Sequence, residues 1–253
     1  MKGKLPVAIV IPHSGLAIPP ELTGRIALSP AQIFNEADAY ANGVYGFPER
    51  VLHWVSFPYA RAVLDINRSL DPALNRPGDG FLKRQTSYGK PVFRPGQEPT
   101  AEEEQALIAT YWATWHAQLA GIAADERVKL VIDGHTMAAV GPTLYGDAAA
   151  LRHRGSVSNL GNRQATPHPQ RKRLSAPPAV ARALAAELAD RLASLPTLTM
   201  TRPGVSINVP FYGGWNLQRH SHDRQPWCMI EINRALYIGH APLALHAYKS
   251  IPG

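Results

Sequence analysis

Three apolar runs most tightly constrain what this chain can fold into. Residues 7–11, 128–132 and 227–232 are short and dominated by Val, Ile and Leu or other large apolar side chains. Such runs suit buried strands of a parallel sheet covered on both faces. Helical patterns lie between them. Ser29 followed by Pro30 opens one over residues 29–44, with proline in the first turn. Thr100 and Glu103 have capping-box spacing, after which Leu107, Ile108, Tyr111, Trp115, Leu119 and Ile122 recur on one face. A third helix is predicted over residues 178–194. Residues 51–57 and 61–66 read as further strands, and residues 71–97 as a long Gly/Pro-rich excursion. Alternating strands and helices predict an α/β fold with a mixed, mostly parallel sheet flanked by helices. With no repeat and no linker composition, residues 1–253 read as one domain.

Composition narrows the class. Hydrophobic residues make up 45% and charged residues 18% of the 253, which excludes a disordered chain. One cysteine excludes a disulfide framework and a multi-cysteine zinc finger. The apolar run at residues 7–11 is too short for the core of a secretory signal, and no stretch nears the roughly 20 apolar residues of a membrane span. The expectation is a cytoplasmic protein without a membrane partner.

The net charge is +7. It is local: no acidic residue stands between Asp147 and Glu187, where Arg152, Arg154, Arg163, Arg171, Lys172, Arg173 and Arg182 account for the whole excess. Residues 151–183 hold no Phe, Tyr or Trp on which bases could stack. The segment reads as a solvated loop. A non-catalytic nucleic-acid-binding protein using residues 152–182 is the alternative from another class.

The apolar runs deliver chemistry at their ends. The first leads into Pro12-His13-Ser14-Gly15, the second into Asp133-Gly134-His135-Thr136, and the third carries Glu231 ahead of Asn233 and Arg234. Open α/β sheets build their sites beyond the carboxyl ends of strands. Two histidines and a carboxylate there can form a zinc site with an open position for water. Glu36 and Asp38 compete as the third ligand, and Glu231 is the candidate general base. Arg61, Asn67 and Arg68 form a second cluster: a guanidinium can read a substrate carboxylate bidentately, and an ion pair of Arg68 with Asp65 or Asp71 is the alternative. Asn208, Gly213, Gly214 and Arg219 form a third group. His116 reads as a packing residue, and Cys228 as inert core. Ser14 lacks a G-x-S-x-G elbow, against a serine hydrolase.

These pieces, in order, resemble the N-formylglutamate amidohydrolase family. The resemblance rests on Pro12-His13-Ser14-Gly15, Glu36-Ala37-Asp38, Asp65-Ile66-Asn67-Arg68 and Gly89-Lys90-Pro91-Val92-Phe93. It continues through Trp115-His116-Ala117-Gln118-Leu119, Asp133-Gly134-His135-Thr136-Met137, Asn208 with Gly213-Gly214, and Glu231-Ile232-Asn233-Arg234. That family is similar to zinc carboxypeptidases and aspartoacylases. The resemblance implies a phosphorylase/hydrolase-like fold and one zinc ion on His13 and His135. It implies Glu231 as base, Asn67 and Arg68 as carboxylate binders, and Arg61 as an oxyanion or substrate contact. The implied substrate is a small acidic N-acyl amino acid, N-formyl-L-glutamate first, yielding formate and L-glutamate. A zinc peptidase or deacylase on other acyl-amino acids or peptides is the alternative enzyme. Leu16 stands where zinc carboxypeptidases carry their ligand glutamate, which sends the third ligand back to Glu36 or Asp38.

Overall fold

The structure is a computed structural model describing residues 3–76, 78–161, 164, 166–167, 173–195, 201–221 and 224–238. One six-stranded sheet organises it, in the order β2-β1-β3-β6-β4-β5. The strands are β1 (Leu5–Ile11), β2 (Val51–Ser56), β3 (Leu130–Met137), β4 (His153–Ser158), β5 (Arg202–Ile207) and β6 (Trp227–Asn233). β2, β1, β3 and β6 run parallel. β4 opposes β6, and β5 runs parallel to β4. The sheet is therefore mixed and mostly parallel, as expected from the apolar runs. β1, β3 and β6 are the central strands, and their later residues are buried on both faces. Covered parallel strands need such composition, because neither face meets water.

The helices are α1 (Pro30–Glu36), α2 (Ala41–Val44), α3 (Ala101–Leu107), α4 (Ala113–Ala124), α5 (Pro178–Ala193) and α6 (Trp215–His220). The predicted capping box forms at α3: Thr100 Oγ1 accepts from Glu103 N at 3.2 Å, and Glu103 Oε2 accepts from Thr100 N at 2.8 Å. A π segment, Ile108–Trp112, joins α3 to α4. This long element packs Tyr111, Trp115, Leu119 and Ile122 against β1, β3 and β6 side chains such as Val10, Val131 and Met229 in the main core. On the other face, α5 lays Ala181 and Ala185 over Val157 and Cys228. Cys228 is fully buried and its thiol is pushed up to about 12 by that burial, so it belongs to the core. Among the described residues, no helix is long and apolar enough to cross a membrane.

Three local expectations are corrected. The helix predicted over residues 29–44 breaks after Glu36. Ser29 caps it as expected, but Ala37 is extended, Tyr40 takes φ 61°, and α2 is a separate turn. The tertiary bond from Asp38 N to His13 O, 2.9 Å, stabilises that break. Residues 61–66 form a buried turn rather than a strand: Val63 N and Leu64 N both donate to Ala60 O. A short apolar run fits either, and periodicity cannot choose.

The basic segment is also not one solvated loop. Arg152 and Arg154 flank the start of β4 and are buried. Arg152 pairs with Asp147 through Nε at 2.6 Å and Nη2 at 2.9 Å. Arg154 Nη1 donates to the Leu192 and Leu195 carbonyls at the end of α5, where the helix dipole favours a cation. Neither is offered to a phosphate backbone, which removes support from the nucleic-acid alternative. Arg163, Arg171 and Lys172 lie outside the described residues.

Candidate active site

Register brings the strand-end residues to one edge. Val10 pairs with Asp133 across β1 and β3, which puts His13 just beyond the edge where His135 stands. His135 pairs with Glu231 across β3 and β6. The His13 and His135 rings lie 4.9 Å apart, centre to centre. The break after α1 drops Asp38 between them.

Asp38 Oδ2 is 2.9 Å from His135 Nδ1 and 3.7 Å from His13 Nδ1, and it accepts from Thr136 N at 3.2 Å. All three residues are buried, and one donor atom from each lies within 4.8 Å of the others. Burial alone would raise the Asp38 carboxyl, but the two imidazoles hold it well below the usual carboxylate range. Zinc bonds of about 2.0–2.1 Å in tetrahedral geometry put neighbouring ligand atoms about 3.3 Å apart, which the 2.9 and 3.7 Å separations bracket. His13 Nδ1 is buried without a hydrogen-bond partner among the described residues, as a ligand atom would be before its ion binds. The donor set of two imidazoles and a carboxylate fits a zinc ion.

A carboxylate backs each ring. Asp65 Oδ1 stands 2.8 Å from His13 Nε2. Asp133 Oδ1 lies 3.2 Å from His135 Nε2, in contact but without hydrogen-bond alignment. Metal-binding histidines are oriented by such partners. Asp65 and Asp133 both stand in the motifs read from the sequence, which give neither a role behind the histidines. The signal was spacing, because Asp133 and His135 are two apart on one strand and share a face.

Of the two acids competing as third ligand, Glu36 stands outside the donor cluster, although it lines the same cavity. Its carboxylate accepts from Ser87 N and from Ser87 Oγ, both at 2.9 Å. Asp38, the other of the two competing acids, takes the place beside the histidines.

A cavity of about 600 Å³ opens over this cluster. Glu231 lines it from β6, 6% exposed, and its carboxylate makes no hydrogen bond among the described residues. Burial, with the Asp38 charge adding to it, pushes its carboxyl up to about 7. Arg61 lines the same cavity and holds Asp65 Oδ2 at 3.1 Å and Asp38 Oδ1 at 3.5 Å. Arg68 Nε donates to Asp79 at 3.0 Å and Nη1 to Asn67 O at 3.1 Å. Trp112 Nε1 in turn donates to Arg68 O at 2.9 Å, tying the Asn67-Arg68 segment to the π turn.

Asn67 lines the cavity, and its Oδ1 accepts from Asn216 N at 2.7 Å. A Cβ on Gly214 would lie 2.3 Å from Asn67 Nδ2, so only glycine permits this approach. Gly213 takes φ 115°, which glycine alone adopts without strain. Both therefore shape the wall through their backbone. Asn208 and Arg219 do not line the cavity. Asn208 is fully buried against Asn159, with two side-chain bonds of 2.9 Å. Arg219 lies over the Trp112 ring, 4.9 Å from its centre. The structure thus places Asn208 and Arg219, expected from the sequence at the substrate, behind the cavity wall residues rather than among them. In their place Arg76, Arg152 and Tyr145 line the cavity. Arg152 enters because β4 is antiparallel: its first residues, not its last, reach the edge that carries Glu231.

Comparison with known proteins identifies the family and the fold. The profile of the family described as N-formylglutamate amidohydrolase matches residues 5–238. The chain is similar to N-formylglutamate deformylase of Pseudomonas aeruginosa, 26% identical over 151 residues that cover 57% of this chain and 56% of that protein. It is similar to the N-formylglutamate deformylase of Pseudomonas putida, 26% identical over 121 residues, 47% of this chain and 45% of that one. The chain thus spans about half the length of the curated relatives it matches. Its fold is similar to a crystal structure of N-formylglutamate amidohydrolase from Ralstonia eutropha JMP134, with TM-score 0.70 and 20% identity over 94% of this chain and 85% of that one. An Agrobacterium tumefaciens protein gives TM-score 0.61 at 19% identity, covering 96% and 86%.

Proposed function

The chain belongs to the N-formylglutamate amidohydrolase family, and from that premise we propose that it hydrolyses the formamide bond of N-formyl-L-glutamate to formate and L-glutamate. The observation that carries this reading is the meeting of His13, Asp38, His135 and Glu231 with Arg61 and Arg68 in one cavity. A volume of about 600 Å³ suits an amino-acid derivative.

His13, Asp38 and His135 would hold a zinc ion. When bound, the ion supplies Lewis acidity toward a carbonyl oxygen and lowers the pKa of a water. The residues of the chain do the rest. Arg68, with Nε and Nη1 committed to Asp79 and Asn67, has Nη2 left for the substrate's α-carboxylate; the Asn67 amide flanks it. That anchor fixes the formyl carbon near Glu231. Glu231 accepts a proton as water oxygen adds to the formyl carbon. It returns that proton to the amide nitrogen as the C–N bond breaks, so the amine leaves neutral. A carboxyl raised to about 7 is matched to taking and returning a proton near neutral pH. Arg61 offsets the negative charge gathering on the former carbonyl oxygen.

The test is formate release from N-formyl-L-glutamate by the purified protein, before and after chelation and with zinc restored. Turnover that disappears with chelation and returns with zinc is expected. Absence of formate from the zinc-loaded protein overturns the reading.

A further inference from the structure

The cavity wall carries two arginines on one loop in different states. Arg68 is bound on its inner side to Asp79 and Asn67, with Asp65 3.5 Å from Nη1. Arg76, eight residues on, lines the same cavity and has no carboxylate partner among the described residues. Its guanidinium lies over the Tyr145 ring, 5.0 Å from the centre. Arg152 approaches that ring too, at 6.0 Å, but Asp147 neutralises it in bidentate fashion. Asp79, the acid nearest Arg76 in sequence, is already shared between Arg68 and Lys83. The local charges thus cancel around Arg68 and leave a positive charge at Arg76.

The loop that presents Arg76 is pinned. Asn75 Nδ2 donates to Ser69 O at 2.7 Å, and Asn75 Oδ1 accepts from Ser69 N at 3.3 Å. Asp71 Oδ1 caps the turn through Ala73 N at 2.9 Å. These bonds close the chain on itself between the two arginines, so Arg76 stands at a set offset from Arg68. Tyr145, against which it rests, is held near Ser87 Oγ at 3.4 Å.

We propose that Arg76 is the specificity-determining residue for the substrate side chain: it receives the distal carboxylate of a dicarboxylic N-acyl amino acid whose α-carboxylate sits on Arg68. This rests on the deformylase reading above. An unpaired guanidinium facing a cavity gains a charge-assisted bond from a second carboxylate and gains less from a neutral amide. Selection for an acidic over an isosteric neutral side chain follows.

The experiment compares wild type, R76Q and R76K on N-formyl-L-glutamate and on its neutral isostere N-formyl-L-glutamine. Calorimetric binding of L-glutamate and L-glutamine to the same three proteins gives a readout independent of catalysis. R76Q is expected to reduce the glutamate-over-glutamine preference in kcat/KM by about 10-fold or more, through KM, as loss of a hydrogen bond to a charged group implies. R76K, which keeps the charge, should restore part of it. A preference unchanged within about twofold, or equal loss on both substrates in R76Q and R76K alike, overturns the role of Arg76. So does a wild type that binds L-glutamate no better than L-glutamine. Wild type that binds L-glutamate selectively but releases no formate overturns the deformylase reading alone.

Discussion

Asp65 Oδ1 stands 2.8 Å from His13 Nε2, on the other side of the imidazole from Asp38. With a proton on Nε2 directed at Asp65, the lone pair is placed on Nδ1, the atom facing Asp38 and His135. Asp65 itself is fully buried; burial would raise its carboxyl, but Arg68, His13 and Arg61 hold it well below the usual range. Asp65→Asn can present an amide N–H instead of an oxygen and favours the wrong tautomer. Zinc affinity is expected to fall about 10–100-fold, the usual cost of losing such a partner, measured by competition with a chelator. Unchanged affinity would remove Asp65 from the site.

The two acids at the end of α1 should separate cleanly. Asp38→Asn is expected to abolish stoichiometric zinc, because the amide lacks the charge that two imidazoles and a cation require. Glu36→Gln should retain it, since that carboxylate is engaged with Ser87. Metal analysis of both purified variants decides, and the opposite pattern reverses the ligand assignment.

Glu231→Gln preserves shape and removes the proton acceptor. A fall in kcat of about 10²–10⁴-fold with zinc still bound is expected from loss of a general base. Steady-state formate assays beside metal analysis check it; turnover near the wild-type value assigns the base elsewhere.

His116 yields a pH prediction. Its Nε2 donates to Ile66 O at 3.0 Å, so Nδ1 carries the lone pair that accepts from His220 Nε2 at 2.7 Å. Burial first, then the charges of His220 and Arg219, depress its imidazolium to about 3. An unfolded histidine titrates near 6.5. Between those values the unfolded chain binds a proton that the folded chain refuses. The contribution of His116 to stability is therefore complete above pH 6.5 and is lost as pH falls toward 3. In His116→Asn, whose amide oxygen can stand in for Nδ1, Tm should fall less steeply than in wild type between pH 6.5 and 4.5. Parallel Tm curves would show that the ring titrates normally.

Much of the frame was legible because the central strands have no wet face. Residues 7–11, 128–132 and 227–232 announce themselves by composition, and the polar residues ending them are the ones the edge assembles. β4 and β5 were missed for the converse reason. His153–Ser158 and Arg202–Ile207 carry arginine, glycine, serine and proline. Arg154 finds carbonyls at the end of α5, partners invisible in one dimension. Glu36 and Asp38 looked equivalent because the break between them rests on a bond to His13, not on a glycine or proline. Arg152 was misplaced by a rule that looks beyond strands, when an antiparallel strand offers what precedes it.

β4 runs against β3 and β6, so the chain leaves the sheet at Met137 and re-enters at His153 on the same edge. The connection between them never passes behind the sheet. It escapes the minimum length that a parallel crossover demands and answers only to the opening it overhangs, where Ala138, Pro142 and Tyr145 stand. Insertions or deletions there resize the mouth while sparing the ladder between His135 and Glu231. The breadth of molecules admitted and the rigidity of the reacting centre are separate variables in this architecture.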